Sequence, residues 1–418
     1  MLYERWRQIV RERPAEIALS ELPAGRRWTF AELAAAVEKL PATDGPFGYA
    51  QGHSAEFIFE VLRAWRDHAV LCPLEIGQPQ PLLPVPPEPA AQLKLTSATT
   101  GPARAVVFTA EQLAADAENI VATMGLRTDW PNLGVISLAH SYGFSNLVLP
   151  LLLHGIPLAI VASPLPEIVR CAAEKFSSLS LAAVPALWRT WHETNVIPPQ
   201  IQLAISAGAP LPAALERAVF QARGLKIHNF YGATECGGIA YDATETPRAD
   251  DACVGSPMQN VTLSADDAGC LRVASRAVGQ GYWPENEGAL GGGVFQTSDL
   301  CEFHDGSVFL RGRLSDQINV AGRKISPAAI EQALAGHPAV RECIVFGVPG
   351  SDADRNETIV ACVVAREKTT AAELKQFLLA RLPAWQVPRE WRFVASLAEN
   401  RRGKISRAEW RRKFLSAK

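Results

Sequence analysis

The sequence predicts a mixed α/β protein with a large N-terminal part of several subdomains and a small α+β part at the C-terminus. Short apolar runs alternate with helical patterns from about Trp28 to Ser206; after Val254 the pattern turns to brief strands separated by Gly, Pro and Asp; and a compact β-α-β-β-α-β-like order follows Arg313. At 418 residues, 48% hydrophobic and 20% charged, the chain has apolar material for more than one core.

The elements follow in order. Thr29 to Leu40 and Ala55 to His68 carry helical periodicity, and Val70 to Leu74 reads as a strand. Pro79 to Pro89 is too proline-rich for regular structure and predicts a surface connection into a strand at Gln92 to Leu95. Strands are expected at Leu133 to Leu138, Leu158 to Val161, Leu181 to Val184 and Leu203 to Ser206, with a helix at Phe144 to Leu153. Gly269 to Ala274, Gly279 to Trp283 and Ser307 to Arg311 predict a small β subdomain. Then come a hairpin across Ile318 to Ile325 and a helix with Ser326 as N-cap and Pro327 as first residue. Strands at Cys343 to Val348 and Ile359 to Val364 lead to a helix from Thr370, where Thr370 and Glu373 have capping-box spacing.

Lys plus Arg (41) nearly balance Asp plus Glu (43), so no global field draws the chain to nucleic acid or an anionic membrane. The N-terminus lacks the apolar run of a signal peptide, and the apolar stretch Leu147 to Ala162 is broken by Pro150, His154, Gly155 and Pro157. The expectation is a cytoplasmic protein without a transmembrane segment. Eight scattered cysteines with no CxxC pair predict reduced, buried thiols rather than disulfides or a zinc site.

Four strings carry chemistry. Leu95-Thr96-Ser97-Ala98-Thr99-Thr100-Gly101-Pro102-Ala103-Arg104 follows a predicted strand and sets hydroxyls beside a glycine and a cation, a composition suited to wrapping phosphate or to a solvated Ser/Thr loop. Asn229-Phe230-Tyr231-Gly232-Ala233-Thr234-Glu235 offers an aromatic face for a base and a carboxylate for Mg²⁺, though alone it is also an ordinary turn. Thr297-Ser298-Asp299 with Gly312-Arg313 joins an acid and a base able to hydrogen-bond ribose or phosphate, or simply one another. Asn400-Arg401-Arg402-Gly403-Lys404 sets a lysine in a Gly-containing loop, suited to neutralising charge at a reacting phosphate or to forming a basic tail.

In this order, and with Gly312 to Pro327 between the last two, the strings resemble the adenylate-forming superfamily of acyl-CoA synthetases, aryl-CoA ligases, adenylation domains and luciferases, from about Trp28 to Arg412. The resemblance implies an N-terminal AMP-binding (adenylation) domain over residues 1–312 and a mobile C-terminal lid over 316–418, with a hinge near 313–316. It implies that Thr96, Ser97, Thr99, Thr100, Gly101 and Arg104 hold the ATP β- and γ-phosphates. Ala98, Ala103, Arg104 and Ala105 depart from the family's usual Gly, Pro, Lys and Gly; where a glycine has positive φ, an added methyl costs about 1 kcal/mol or more. Gly208 and Ala209, within Ser206 to Leu211, match the adenine-side segment; Tyr231 would face the adenine, Thr234 the α-phosphate and Glu235 the magnesium. Asp299 and Arg313 match the residues that hold the ribose, with Ser298 where glycine is common. Lys404 matches the lysine between carboxylate and α-phosphate, Ser315 the hinge, and Gly322 the glycine beside the thiol tunnel.

Ser137 to Phe144 resembles the PLxHxxG segment of acyl- and aryl-CoA ligases, which makes His140 a gate or neighbour of the substrate carboxylate, or a satisfied core histidine. No Asp lies between Ser137 and Leu149 to pair with an α-ammonium, which disfavours amino-acid substrates. The implied activity is ATP- and Mg²⁺-dependent formation of an acyl-AMP from a fatty or aryl acid, then transfer to coenzyme A. The alternatives are a ligase that loads the phosphopantetheine of an acyl-carrier protein, and a degenerate nucleotide- or acyl-AMP-binding protein.

Overall fold

The two strands that flank the phosphate-loop string form where the sequence alternates or runs apolar, and close an antiparallel hairpin: Gln92–Leu95 pairs with Ala105–Phe108, Leu95 opposite Ala105. The structure is a computed structural model that describes residues 1–22, 24–96, 104–285, 288–350, 357–397 and 406–416. Contacts divide the chain into two units: Met1–Ser264 with Arg272–Gln296 and Asp305–Val308, and Ala265–Leu271 with Thr297–His304 and Phe309–Lys418.

The first unit uses thirteen strands in chain order up to residue 257: β1 (Ile17–Glu21), β2 (Arg26–Thr29), β3 (Phe47–Gln51), β4 (Val70–Leu74), β5 (Gln92–Leu95), β6 (Ala105–Phe108), β7 (Asn132–Gly134), β8 (Leu158–Ile160), β9 (Leu179–Ala183), β10 (Ile201–Ser206), β11 (Ile227–Ala233), β12 (Gly237–Tyr241) and β13 (Cys253–Pro257). One sheet runs β13-β12-β11-β10-β9-β7-β8-β1-β2. From β11 to β1 every pairing is parallel, so these strands deliver their C-terminal loops to one edge. A second sheet runs β6-β5-β4-β3, and strand Gly281–Trp283 adds to β6 with Tyr282 opposite Val106. Strands β4 and β6 are buried along their whole length, which is why they read as continuous apolar runs rather than alternating ones.

Two expected elements differ. The strand expected at Leu133 to Leu138 covers only Asn132–Gly134, because the chain beyond it turns: the Ser137 hydroxyl donates to Glu75 Oε2 at 2.8 Å. The helix expected at Phe144 to Leu153 is a π-helical turn, Phe144–Val148, continued by an α-helix, Leu149–His154. Pro150 has no N–H to offer the carbonyl of Asn146, four residues back; Asn132 Nδ2 donates to that carbonyl at 3.2 Å instead, and Asn146 Nδ2 donates to Tyr142 O at 3.2 Å.

In the second unit, strand Glu357–Ala365 lies between Val340–Pro349 (antiparallel) and Glu390–Phe393 (parallel). Its alternate residues serve two cores: Ile359, Ala361 and Val363 pack with Ile330, Leu334, Leu374 and Leu378, while Val360, Cys362 and Val364 pack with Phe346 and Phe414. The expected hairpin pairs Ile318–Val320 with Arg323–Ile325. Thr370 and Glu373 close the capping box of helix Ala371–Leu379, whereas Ser326 precedes helix Pro327–Ala335 without a side-chain cap bond.

The cysteines among the described residues are free thiols, and five are buried; Cys171 departs from expectation in being exposed. Burial pushes the Cys72 thiol up to about 12 and Cys362 to about 11. Among the described residues no helix is long and apolar enough to cross a membrane.

Candidate active site

In the first unit, three of the sequence-predicted segments leave the C-terminal ends of parallel strands of one sheet: Ser137 to Phe144 follows β7, Gly208 and Ala209 follow β10, and Thr234 and Glu235 follow β11. Such an edge is where open α/β sheets accept ligands. The fourth segment arrives from the other sheet. Thr96 N and Thr96 Oγ1 both donate to Arg104 O, at 2.7 and 3.0 Å, and so close the base of the β5–β6 loop. Ser97, Thr99, Thr100, Gly101 and Lys404 lie outside the described residues.

Tyr282 joins two of these segments. Its hydroxyl donates to Glu235 Oε1 at 3.1 Å, and the Arg104 guanidinium lies over its ring, 5.6 Å from the centroid. Gly279 N donates to Glu235 O at 2.9 Å, which holds the Tyr282 segment against the backbone of the carboxylate. Sequence reading placed a strand here but assigned Tyr282 no role; its partners are 47 residues or more away in the chain, and no local pattern announces them.

The Tyr231-to-Glu235 string is the end of β11 and the turn into β12. Register shifts between Tyr231 and Gly232, where Gly232 opposes Gly238. Such a bulge re-aims the residues beyond it, here Thr234 and Glu235. Phe230 packs on Tyr142, with ring centroids 5.9 Å apart, so this strand also meets the histidine segment.

His140 caps the short helix Ser141–Gly143, its Nδ1 accepting from Tyr142 N at 3.3 Å. Gly143 is required by close approach: a Cβ there would stand 1.9 Å from Ser137 O. The Tyr142 hydroxyl donates to Ala183 O (3.4 Å) and Ile205 O (3.5 Å), and burial drives its phenol well above the usual range.

Behind the β10 turn lies a buried charge network. Glu216 accepts from Arg248 Nε at 2.8 Å and pairs with Lys226, which also donates to Asp242 Oδ2 at 2.5 Å; Arg248 donates to Leu211 O at 2.7 Å. Glu216 is fully buried, and this network ties the segment around Gly208 to β11, β12 and the approach to β13.

In the second unit, Asp299 and Arg313 meet: Arg313 Nε donates to Asp299 Oδ1 at 2.8 Å, and Asp299 N donates to Thr297 Oγ1 at 3.0 Å. Asp316, next to Ser315, accepts from Arg407 at 2.6 Å, and Arg407 also bridges to Glu331. Burial raises the Glu331 carboxyl, with Arg407 opposing. Gly322 occupies the two-residue turn of the Ile318 to Ile325 hairpin with Ala321.

Among the described residues no group of three or more His, Cys, Asp or Glu could hold a metal ion. A single carboxylate such as Glu235 suits a divalent ion that takes most of its ligands from substrate phosphates and water.

The residues 51–283 match the family described as AMP-binding enzyme, and residues 329–404 that described as AMP-binding enzyme C-terminal domain. A feruloyl-CoA synthase of Amycolatopsis is 29% identical over 357 residues, 80% of this chain and 72% of that one. A long-chain-fatty-acid–CoA ligase of Mycobacterium tuberculosis is 25% identical over 76% of this chain and 66% of its own length. ATP-bound MatB from Rhodopseudomonas palustris has the same fold, with a TM-score of 0.87 over the whole of both chains at 18% identity. The o-succinylbenzoate CoA synthetase MenE of Bacillus subtilis, in complex with an acyl-adenylate, gives 0.83 over 97% of each at 21% identity. The matched family spans more than half of the sequence, and the chain belongs to the AMP-binding enzymes.

Proposed function

We propose that the chain uses ATP to activate a fatty or aryl carboxylic acid as its acyl-AMP and then passes the acyl group to the thiol of coenzyme A. The observation that carries this reading is the gathering of the His140, Gly208 and Glu235 segments at one edge of the parallel sheet, with Tyr282 joining Glu235 to Arg104 at the base of the phosphate-loop hairpin. Relatives named for feruloyl-CoA and long-chain fatty acids support the acid class and the acceptor.

A carboxylate oxygen attacks the α-phosphorus, the new O–P bond forms, and pyrophosphate leaves with the electrons of the broken bond. The thiolate then attacks the acyl carbon and AMP departs. Neither step needs a covalent protein intermediate, so the chain's work is positioning and charge stabilisation. Thr96, Ser97, Thr99, Thr100, Gly101 and Arg104 take the β- and γ-phosphates; Gly208, Ala209 and Tyr231 line the adenine; Thr234 meets the α-phosphate; Asp299 and Arg313 hold the ribose; His140 neighbours the carboxylate; and Lys404 neutralises charge at the reacting phosphate. Glu235 would hold Mg²⁺, which would supply further neutralisation of the polyphosphate. Residues 1–312 and 316–418 act as adenylation domain and lid about a hinge at 313–316 containing Ser315, with Gly322 beside the pantetheine arm.

The acceptor is tested by offering free coenzyme A or a phosphopantetheinylated carrier protein to enzyme with ATP, Mg²⁺ and acid. Acyl-CoA formed at a rate above that of carrier loading is the expected result. Loading of the carrier alone would replace coenzyme A as acceptor, and no thioester with either would overturn the ligase reading.

A further inference from the structure

Asp116 lies on helix Ala110–Met124 and is only 1% exposed. Each of its oxygens is engaged. Oδ1 accepts from Gly238 N at 3.1 Å; Oδ2 accepts from Ser145 Oγ at 2.6 Å and stands 3.7 Å from Lys94 Nζ. Lys94 is itself buried, 3.3 Å from Ser145 Oγ and over the Phe108 ring at 4.5 Å. Gly237 has φ +68° and no room for a side chain: a Cβ there would lie 2.0 Å from Asp116 Oδ1. The hairpin backbone just beyond Glu235 therefore sits directly on the carboxylate.

These contacts gather three separate segments. Lys94 is two residues before Thr96 on β5; Ser145 stands in the π-helical turn, five residues after His140; Gly237 and Gly238 follow Glu235. A buried ion pair gives little net stability over well-packed apolar residues. What it does give is one geometry, since a displaced partner leaves a charge without compensation in a medium of low dielectric. We propose that Asp116, with Lys94 and Ser145, is a positioning centre that fixes the histidine segment, the glutamate hairpin and the base of the phosphate-loop hairpin in one arrangement. Burial lowers the Lys94 ammonium, and Asp116 opposes that shift.

The kinetic part of the test rests on the ligase reading; the exchange part does not. Asp116→Asn, Ser145→Ala, Ser145→Thr and the apolar pair Lys94→Met with Asp116→Leu are compared with the unaltered chain by acid-dependent pyrophosphate release and by amide hydrogen exchange of residues 138–148 and 231–241. Asp116→Asn and the apolar pair should lower kcat about 10-fold or more with KM for ATP changed less than about 3-fold, as expected when reacting groups are misplaced rather than removed. Ser145→Ala should lower kcat several-fold, Ser145→Thr should restore it, and exchange should quicken in both segments. A folded apolar pair with unaltered kcat and unaltered exchange would overturn the proposal. Should the charge variants fail to fold, Ser145→Ala, which deletes one hydroxyl, decides by the same readings. Should the unaltered chain release no pyrophosphate with any acid, the ligase reading fails, and faster exchange in both segments, or in neither, decides the positioning centre on its own.

Discussion

Replacing Tyr282 with Phe isolates a single hydroxyl. The ring stays beneath Arg104, 5.6 Å from its guanidinium carbon, so only the 3.1 Å bond to Glu235 Oε1 is deleted. A hydrogen bond to a charged group contributes about 1.5–3 kcal/mol, and each ~1.4 kcal/mol is a factor of ten, which brackets the loss at about 10- to 100-fold. Both side chains are half-buried and water can take the hydroxyl's place, so the expected loss is near the lower bound, about 10-fold in kcat/KM for ATP. The assay is Mg²⁺-dependent pyrophosphate release at saturating acid, followed as ATP is varied, beside a thermal melt. Stability should hold, with Tm within about 4 °C of the unaltered chain. Unaltered kcat/KM in a folded variant would refute the view that Tyr282 aims Glu235.

Three other substitutions probe the scaffold. Gly143→Ala puts a methyl 1.9 Å from Ser137 O and should cost about 1–3 kcal/mol of stability while displacing His140; calorimetry and kcat check both. Glu216→Gln leaves Asp242 as the one carboxylate facing both Lys226 and Arg248 and should cost about 3–5 kcal/mol, read as a lower denaturant midpoint at constant slope. Burial, aided by Arg5, lowers the His154 imidazole from 6.5 to about 4, with Glu118 opposing. The unfolded chain thus binds the extra proton between those values, and His154 contributes stability above pH 6.5 that is lost as pH falls toward 4. His154→Asn should flatten that part of the Tm-against-pH curve.

Features set by near neighbours in the chain were legible in the sequence. The capping box of Thr370 and Glu373, the hairpin from Ile318 to Ile325 and the strand Gln92–Leu95 each form from local pattern. The strand expected through Leu138 stops at Gly134 and the helix expected from Phe144 opens as a π-turn because distant side chains intervene: Glu75 takes the Ser137 hydroxyl and Asn132 takes the carbonyl that Pro150 cannot serve. At the site, motif order named Glu235, Arg104, Asp299 and Arg313, and the last two do meet. Tyr282 and Asp116 escaped notice because their partners lie across sheets and helices, 47 and 122 residues away for Glu235 and Gly238.

The most direct test of acid activation is acid-dependent release of pyrophosphate from ATP in the presence of Mg²⁺, measured across fatty and aryl acids for the unaltered chain and for Lys404→Ala. The account predicts release that requires one acid or a narrow set of them and falls about 100-fold or more in the variant. Release indifferent to the acid, or unaltered by loss of Lys404, would contradict it.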